Sequence, residues 1–390
     1  MILPPAMLGV LGGGQLGRFF VMAAHELGYR VTVLDPDPDS PAGRIADAHL
    51  AAAYDDPAAL REMAGTCAAV TTEFENVPAQ TLAYLAMSVR VRPSAARVAT
   101  CQNRSAEKAF LRQHGFPHAP YVDIHCEEDV GKADAGLFPG ILKVSRCGYD
   151  GKGQARVGDR AEARAAFQRF RYQPCVLEKR LPLDRELSVV LARDETGGIA
   201  CFPVAENMHR DGILDLSLAP ATRERAAERN DGLAGEIARN VAEALDYIGV
   251  LAVEFFVAKG QLYVNEMAPR PHNSGHYSID ACVTSQFEQQ VRALCGLPLG
   301  EVGTHSATAM VNLLGDLWFA DGAGAPREPD WRALLTVPNL KLHLYGKREP
   351  QPGRKMGHFT VIGDDAAEVQ KSALAARRAI GIQDPVEETT

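Results

Sequence analysis

Two glutamates carry the first chemical signal in this chain. Glu254 and Glu266 flank Lys259-Gly260 within the apolar stretch LAVEFFVAKGQLYVNEMAP. Lys-Gly between two β-prone runs predicts a hairpin. The midpoint of the two glutamates is residue 260, so simple register sets them opposite each other, with Cβ atoms ~4.5–5.5 Å apart. Carboxylates that close repel unless a cation lies between them. Mg2+ favours one or two carboxylates together with substrate phosphates. Asn265 falls on the other face by strand alternation unless a bulge intervenes.

A second signal lies upstream. Lys143 ends the apolar run GILKV and precedes Gly148-Tyr149-Asp150-Gly151-Lys152-Gly153-Gln154. Backbone amides of such a loop, with two lysines nearby, suit phosphate oxygens. No G-K-[ST] follows, so this is not a Walker loop. A third signal opens the chain. Gly12, Gly14 and Gly17 form G-x-G-x-x-G between a strand and a helix, and Asp35 ends the next strand. That arrangement offers helix N-terminal amides to an anion, either a cofactor pyrophosphate or a substrate phosphate. Asp35 fits a ribose ligand or a plain turn residue in DPDPDSP. A nicotinamide-dependent dehydrogenase would use these four residues, but it leaves the second glycine loop and the two glutamates unexplained.

The elements that must position these groups alternate strand and helix at the start: MLGVL, a helix over about 18–27, YRVTVLD, then 69–72. That order implies a parallel sheet. Helices are expected at about 104–115, over ARAAFQRF, at 222–247 and near 365–379. Strands are expected at GILKV, PCVLEKRL, RELSVVLAR, the glutamate hairpin, KLHLYG and GHFTVIG. The 390 residues exceed what one core serves, so two or three domains are expected. A net charge of −8 argues against a broad grip on nucleic acid. No apolar run reaches the ~18 residues needed to span a bilayer. The N-terminus has no basic region before its glycine turn, and the eight cysteines form no C-x-x-C pair. Reduced thiols and a cytoplasmic location are the expectation.

A lysine before a glycine loop, then Glu178-Lys179-Arg180, then E-x₁₁-E with Asn265 before the second glutamate, resembles the ATP-grasp superfamily. The strings GGGQLGR, TTEFENVP, GYDGKGQ, EKRLPLDRELSV, AENMHRDGILD, NEMAPRPHNSGHYSID and PGRKMGH resemble, more narrowly, the N5-carboxyaminoimidazole ribonucleotide synthetases of purine biosynthesis. The match runs from about residue 8 to 360. It implies a mixed α/β and α+β chain. A Rossmann-like domain would span 1–104 and an ATP-grasp domain 105–297, with a lid over about 105–185. A small β-rich domain would span 298–390. It further implies ATP, Mg2+, bicarbonate and aminoimidazole ribonucleotide as ligands, no nucleic acid or membrane partner, and a homodimer. Bicarbonate would attack the γ-phosphate of ATP to give carboxyphosphate, which carboxylates the exocyclic amine.

Carried onto these positions, the resemblance implies that Arg104 and Lys143 meet ATP phosphates and that residues 148–154 cover them. The strand carrying Glu178, Lys179, Arg180 and Leu181 would meet adenine, Glu186 the ribose, and His209 the nucleotide. Asn265 and Glu266 would complete the ATP site, with Glu254 and Glu266 on Mg2+. Gly14, Gln15, Leu16, Glu73, Tyr149, Asn273, Ser274, Arg354 and Lys355 would contact the ribonucleotide. Asp150, Lys152, Arg270 and His272 would be catalytic, with Asp150 orienting or deprotonating the amine. His276 reads as a polar contact, and His343, Tyr345, Trp318 and Trp331 as packing residues. One departure stands out. The family pattern doubles the glycine before Tyr-Asp, whereas this chain has Cys147-Gly148.

Overall fold

A computed structural model describes residues 1–146, 153–221, 225–319 and 324–384. Three sheets organise them. The first is parallel, with strands in the order Ala48–Leu50, Arg30–Leu34, Met7–Leu11, Ala69–Thr72 and Arg90–Val91. Its central strands are buried on both faces, as crossover helices on a parallel sheet require. The first helix runs Gln15–Glu26, starting earlier than the apolar periodicity indicates. Its first turn lies inside the glycine motif, where apolar spacing carries no signal.

The lid is a four-stranded antiparallel sheet, ordered Tyr121–Ile124, Cys175–Lys179, Gly140–Val144, Gln154–Val157. Helix Arg160–Arg169 packs Ala163, Ala166 and Phe167 into its core. The strand at 175 stops at Lys179, so Arg180 and Leu181 lie in the following loop rather than in the strand. Pro182, which lacks an amide donor, follows at once.

The third sheet has nine antiparallel strands. From one edge they are Gln261–Ala268, Gly249–Ala258, Arg185–Arg193, Ala205–Arg210, Ile213–Ala219, Ala307–Leu314, Lys355–Gly363 and Leu340–Leu344, with Ile199–Cys201 pairing onto Arg185–Arg193. The last three cross residue 298 without a break in pairing, because Ala307–Leu314 bonds to Ile213–Ala219. Helix Arg225–Ala244 covers one face, where Leu187, Val189, Val253 and Phe255 are buried. The opposite face carries polar groups. The hairpin Ala205–Ala219 escapes the sequence patterning, although its turn is Asp211-Gly212 with both φ positive, a strong hairpin signal. Among the described residues no helix is long and apolar enough to cross a membrane.

Helix Ala366–Ala379 closes the far end. Its Arg377 is fully buried and donates two hydrogen bonds to Asp215, at 2.9 and 2.7 Å. Removing one partner of such a pair strands a buried charge. Arg377→Ala should therefore cost about 3–5 kcal/mol of stability. Urea denaturation checks this, and a loss below about 1 kcal/mol would contradict the pairing.

Candidate active site

The glutamate hairpin forms with Glu254 opposite Glu266, but by a different route from simple register. The turn is two residues, Lys259 and Gly260, both at positive φ. That geometry alone would pair Glu254 with Asn265. A bulge between Glu254 and Phe255 in the pairing shifts the partner by one, and Asn265 becomes the extra residue. Its amide therefore turns toward the glutamates, with Nδ2 3.5 Å from the Glu254 carboxylate. The Asn265 Oδ1 is buried and accepts no hydrogen bond. Two carboxylates and an orphaned amide oxygen form a hard-oxygen donor set, which fits Mg2+.

Each glutamate already has a protein partner. Arg104 Nη2 lies 3.2 Å from Glu266, and His272 Nε2 lies 3.1 Å from Glu254. Burial disfavours ionisation of Glu254, but the His272 contact and the charges of His209 and Lys355 outweigh it and hold the carboxyl well below the usual carboxylate range.

Helix Arg104–Gln113 joins this hairpin to the lid. Lys143, 4% exposed, and Lys108, 0% exposed, reach Glu178 at 3.1 and 3.5 Å. Burial opposes the Glu178 charge, yet Lys108, Lys143 and Arg104 hold its carboxyl at about 2. Glu178 thus contributes a buried side chain, not only strand backbone. Lys108 also donates to the Asn265 carbonyl at 3.0 Å, and Glu107 accepts the Met267 amide. Burial raises the Glu107 carboxyl to about 7. Neither Glu107 nor Lys108 stands out in the sequence. The available signal is helical spacing, which sets both on the buried face with Leu111.

Arg270 pairs with Glu75 of the first domain. A narrow cleft opens there, lined by Glu75, Arg104, Glu107, Arg146, Glu266 and Arg270. Asp150, Lys152, Tyr149, Gly148, Gly151 and Cys147 lie outside the described residues. Gly153 and Gln154, at the end of that loop, start the strand Gln154–Val157.

The first glycine motif departs from a plain anion site. The Gly14 and Gly17 amides donate to the two oxygens of Glu73 at 2.6 and 2.7 Å, and Gly13 donates to Asp35 at 2.7 Å. The protein's own carboxylates occupy these donors. Gly12, at φ +104, leaves no room for a side chain: a Cβ there would lie 2.3 Å from Glu73 Cγ. Asp35 also accepts from Tyr54 and the Asp37 amide, so it is a structural turn residue. Leu16 is buried. Gln15 accepts at 2.6 Å from Lys347, a cation that sequence patterning passed over. Lys347 also donates to the Lys355 carbonyl, which ties the first domain to the last.

Asn273 and Ser274 sit inside the protein rather than at the cleft, 6% and 1% exposed. Asn273 exchanges two side-chain hydrogen bonds with Asn312, and Ser274 bonds His272 and Ser188. Arg354 donates to the Glu349 carbonyl on the surface. His276, His343 and His358 gather around Phe19 where the domains meet. With Asp280 the last two have metal-ligand types, but their rings stack at 4.6 Å and 20°. In-plane lone pairs of stacked rings do not converge on one ion.

Comparison with known proteins decides the family. Residues 6–102 match the ribonucleotide synthetase preATP-grasp domain, 109–287 the ATP-grasp domain, and 308–372 the phosphoribosylaminoimidazole carboxylase C-terminal domain. The N5-carboxyaminoimidazole ribonucleotide synthase of Brucella melitensis is 44% identical, covering 92% of this chain and 97% of that one. The chain belongs to the N5-carboxyaminoimidazole ribonucleotide synthases. The Bacillus subtilis member is 40% identical over 92% of each chain. The Thermus thermophilus synthetase structure superposes with a TM-score of 0.87 at 38% identity, covering 98% of this chain and all of that one. The Aspergillus clavatus enzyme, solved with ADP and 5-aminoimidazole ribonucleotide, gives 0.87 at 32% identity, with coverage of 96% and 98%. Like its family, this chain is an ATP-grasp ligase.

Glu186 and His209 form a pair at 3.1 Å beside the hairpin. Burial pulls the imidazole pKa down, but the adjacent Glu186 charge, helped by that of Glu254, overcomes it and raises His209 to about 9. A raised pKa stabilises the fold fully below the usual histidine value, and that contribution fades as pH climbs through about 9. An NMR titration should find His209 still protonated at pH 7.5, and Glu186→Gln should move its midpoint down by more than one pH unit. A wild-type midpoint near 6.5 would contradict the pairing.

Proposed function

We infer that the chain carboxylates the exocyclic amine of 5-aminoimidazole ribonucleotide, using ATP and bicarbonate and releasing ADP and phosphate. The carrying observation is the bulged hairpin, which sets Glu254, Glu266 and the free oxygen of Asn265 next to the Arg104–Lys108–Lys143 cations. Bicarbonate oxygen attacks the γ-phosphorus, and the bond to the ADP oxygen breaks. The amine nitrogen then takes the carboxyl carbon from carboxyphosphate, loses a proton, and phosphate leaves. Phosphoryl transfer of this kind asks for positioning and charge neutralisation more than covalent help.

Residue roles follow from charge and position. Lys143, Lys108 and Arg104 neutralise phosphate charge. Glu254, Glu266 and Asn265 would hold Mg2+, which supplies further neutralisation of the transferring phosphoryl group. Glu186 and His209 face the nucleotide ribose. Lys347, Gln15, Arg354 and Lys355 serve the ribonucleotide phosphate. Lys152 of the glycine loop adds positive charge for the phosphates. Asp150 takes the proton of the amine. Family likeness supports a homodimer, and free cysteines at all seven described positions accord with a reducing cytoplasm.

Phosphate release from Mg·ATP should require both the ribonucleotide and bicarbonate, with label from bicarbonate entering an acid-labile product. ATP turnover indifferent to the ribonucleotide would contradict the substrate. Asp150→Asn should lower carboxylation by roughly 10²–10⁴-fold while nucleotide binding persists. Undiminished carboxylation would remove Asp150 from the mechanism.

A further inference from the structure

Behind Glu254 lies a chain of buried polar side chains that the reaction as described does not use. Ser188 pairs with Glu254 across adjacent strands. Ser188 and Ser274 are each 1% exposed, Asn207 5% and Ser217 1%. Asn207 Nδ2 donates to Ser188 Oγ at 2.9 Å, and Ser188 Oγ donates to Ser274 Oγ at 2.7 Å. Ser274 Oγ reaches His272 Nδ1 at 2.8 Å, and Ser217 donates to Asn207 Oδ1 at 2.7 Å. His272 Nε2 ends the chain at Glu254, 3.1 Å away.

The backbone fixes the last link of this chain. The Ser274 amide, which only donates, points at His272 Nδ1 at 3.3 Å, so Nδ1 is an acceptor. Ser274 Oγ therefore donates to Nδ1 and accepts from Ser188, which itself accepts from Asn207 Nδ2. The proton of the ring therefore sits on Nε2, facing Glu254. Gln286, fully buried, grips the His272 backbone from both sides, accepting from its amide at 2.8 Å and donating to its carbonyl at 2.7 Å. Backbone and tautomer are both fixed before any ligand arrives.

We propose that Asn207, Ser188 and Ser274 are positioning residues that lock His272 as the Nε2–H tautomer and so aim the Glu254 carboxylate at the metal. The proposal rests on the reading of Glu254 as a metal ligand. Its structural content is separate: a buried carboxylate would swing or lose its partner if the ring presented a bare nitrogen. Partners one step removed from a metal ligand typically change metal affinity by about 10–100-fold when lost.

Asn207→Asp is the sharpest perturbation, since it keeps the shape but replaces the terminal donor with an acceptor. Ser188 then meets an acceptor in place of a donor, which competes with Ser274 for its proton and weakens the hold on His272 Nδ1. The experiment uses the full-length enzyme labelled with ¹⁵N-histidine, without ligand, and reads the His272 tautomer from long-range ¹H–¹⁵N couplings. Mn2+ affinity of the ADP-loaded enzyme is measured in parallel by electron paramagnetic resonance. Wild type should show a bare Nδ1. N207D should shift the proton toward Nδ1 and weaken Mn2+ binding by about 10–100-fold. Ser188→Ala should weaken Mn2+ binding in the same sense, with Ser188→Thr restoring it. If N207D does not fold, the two Ser188 variants decide. A protonated Nδ1 in wild type overturns the proposal, as does unchanged Mn2+ affinity in the folded variants. Wild type that binds no Mn2+ with ADP, yet shows the expected tautomer, sinks the metal reading of Glu254 instead.

Discussion

Charge buried at the meeting point of the domains is the constraint on which the rest of this structure turns. Glu178 and Glu254 are largely buried there, where an unpaired carboxylate costs several kcal/mol, and Glu75 and the partly exposed Glu266 line the cleft beside them. Each is matched: Arg270 serves Glu75, Lys108 and Lys143 serve Glu178, His272 serves Glu254, and Arg104 serves Glu266. Most of these pairs connect different parts of the chain. Helix Arg104–Gln113 meets the hairpin through Arg104 and the strand Cys175–Lys179 through Lys108, while Leu111 packs into the core below. Charge pairing and apolar packing together join hairpin, helix and four-stranded sheet.

The same pairing preorganises the site. Lys108 and Lys143 are held on Glu178 before nucleotide arrives, so little reorganisation of these two cations is left for the moment of phosphoryl transfer. At the first glycine motif the logic runs the other way. Glu73 and Asp35 occupy three of its amides, which shapes the turn, and Gln15 at the start of the helix is held by Lys347. A motif associated with dinucleotide phosphates thus serves here mainly to seat a helix against buried carboxylates.

Local signals in the sequence survived contact with the structure best. The parallel first sheet, the Lys259-Gly260 turn and the strand carrying Lys143 follow from alternation, turn chemistry and apolar runs. The Glu254–Glu266 pairing was legible as a pair, but its route was not: a one-residue bulge compensates a turn shorter than the midpoint argument assumes. Bulges arise from cross-strand packing, which no single strand's sequence reports. Lys108, Lys347 and the Ser188–Asn207 chain stayed hidden for a related reason. Their meaning comes from partners on other elements, such as Gln15 for Lys347 and Glu178 for Lys108, joined by tertiary contact rather than by spacing. Asn273 and Ser274 illustrate the converse, since a polar string that looks made for ligand is largely consumed in holding itself together.

The most direct test of this account is a crystal structure with ADP and Mn2+, using anomalous scattering to locate the metal. The account predicts an ion between Glu254 and Glu266, within reach of the Asn265 side-chain oxygen, with Arg104 moved off Glu266 toward the phosphates. Metal bound elsewhere, with Arg104–Glu266 intact and the hairpin carboxylates untouched, would contradict it.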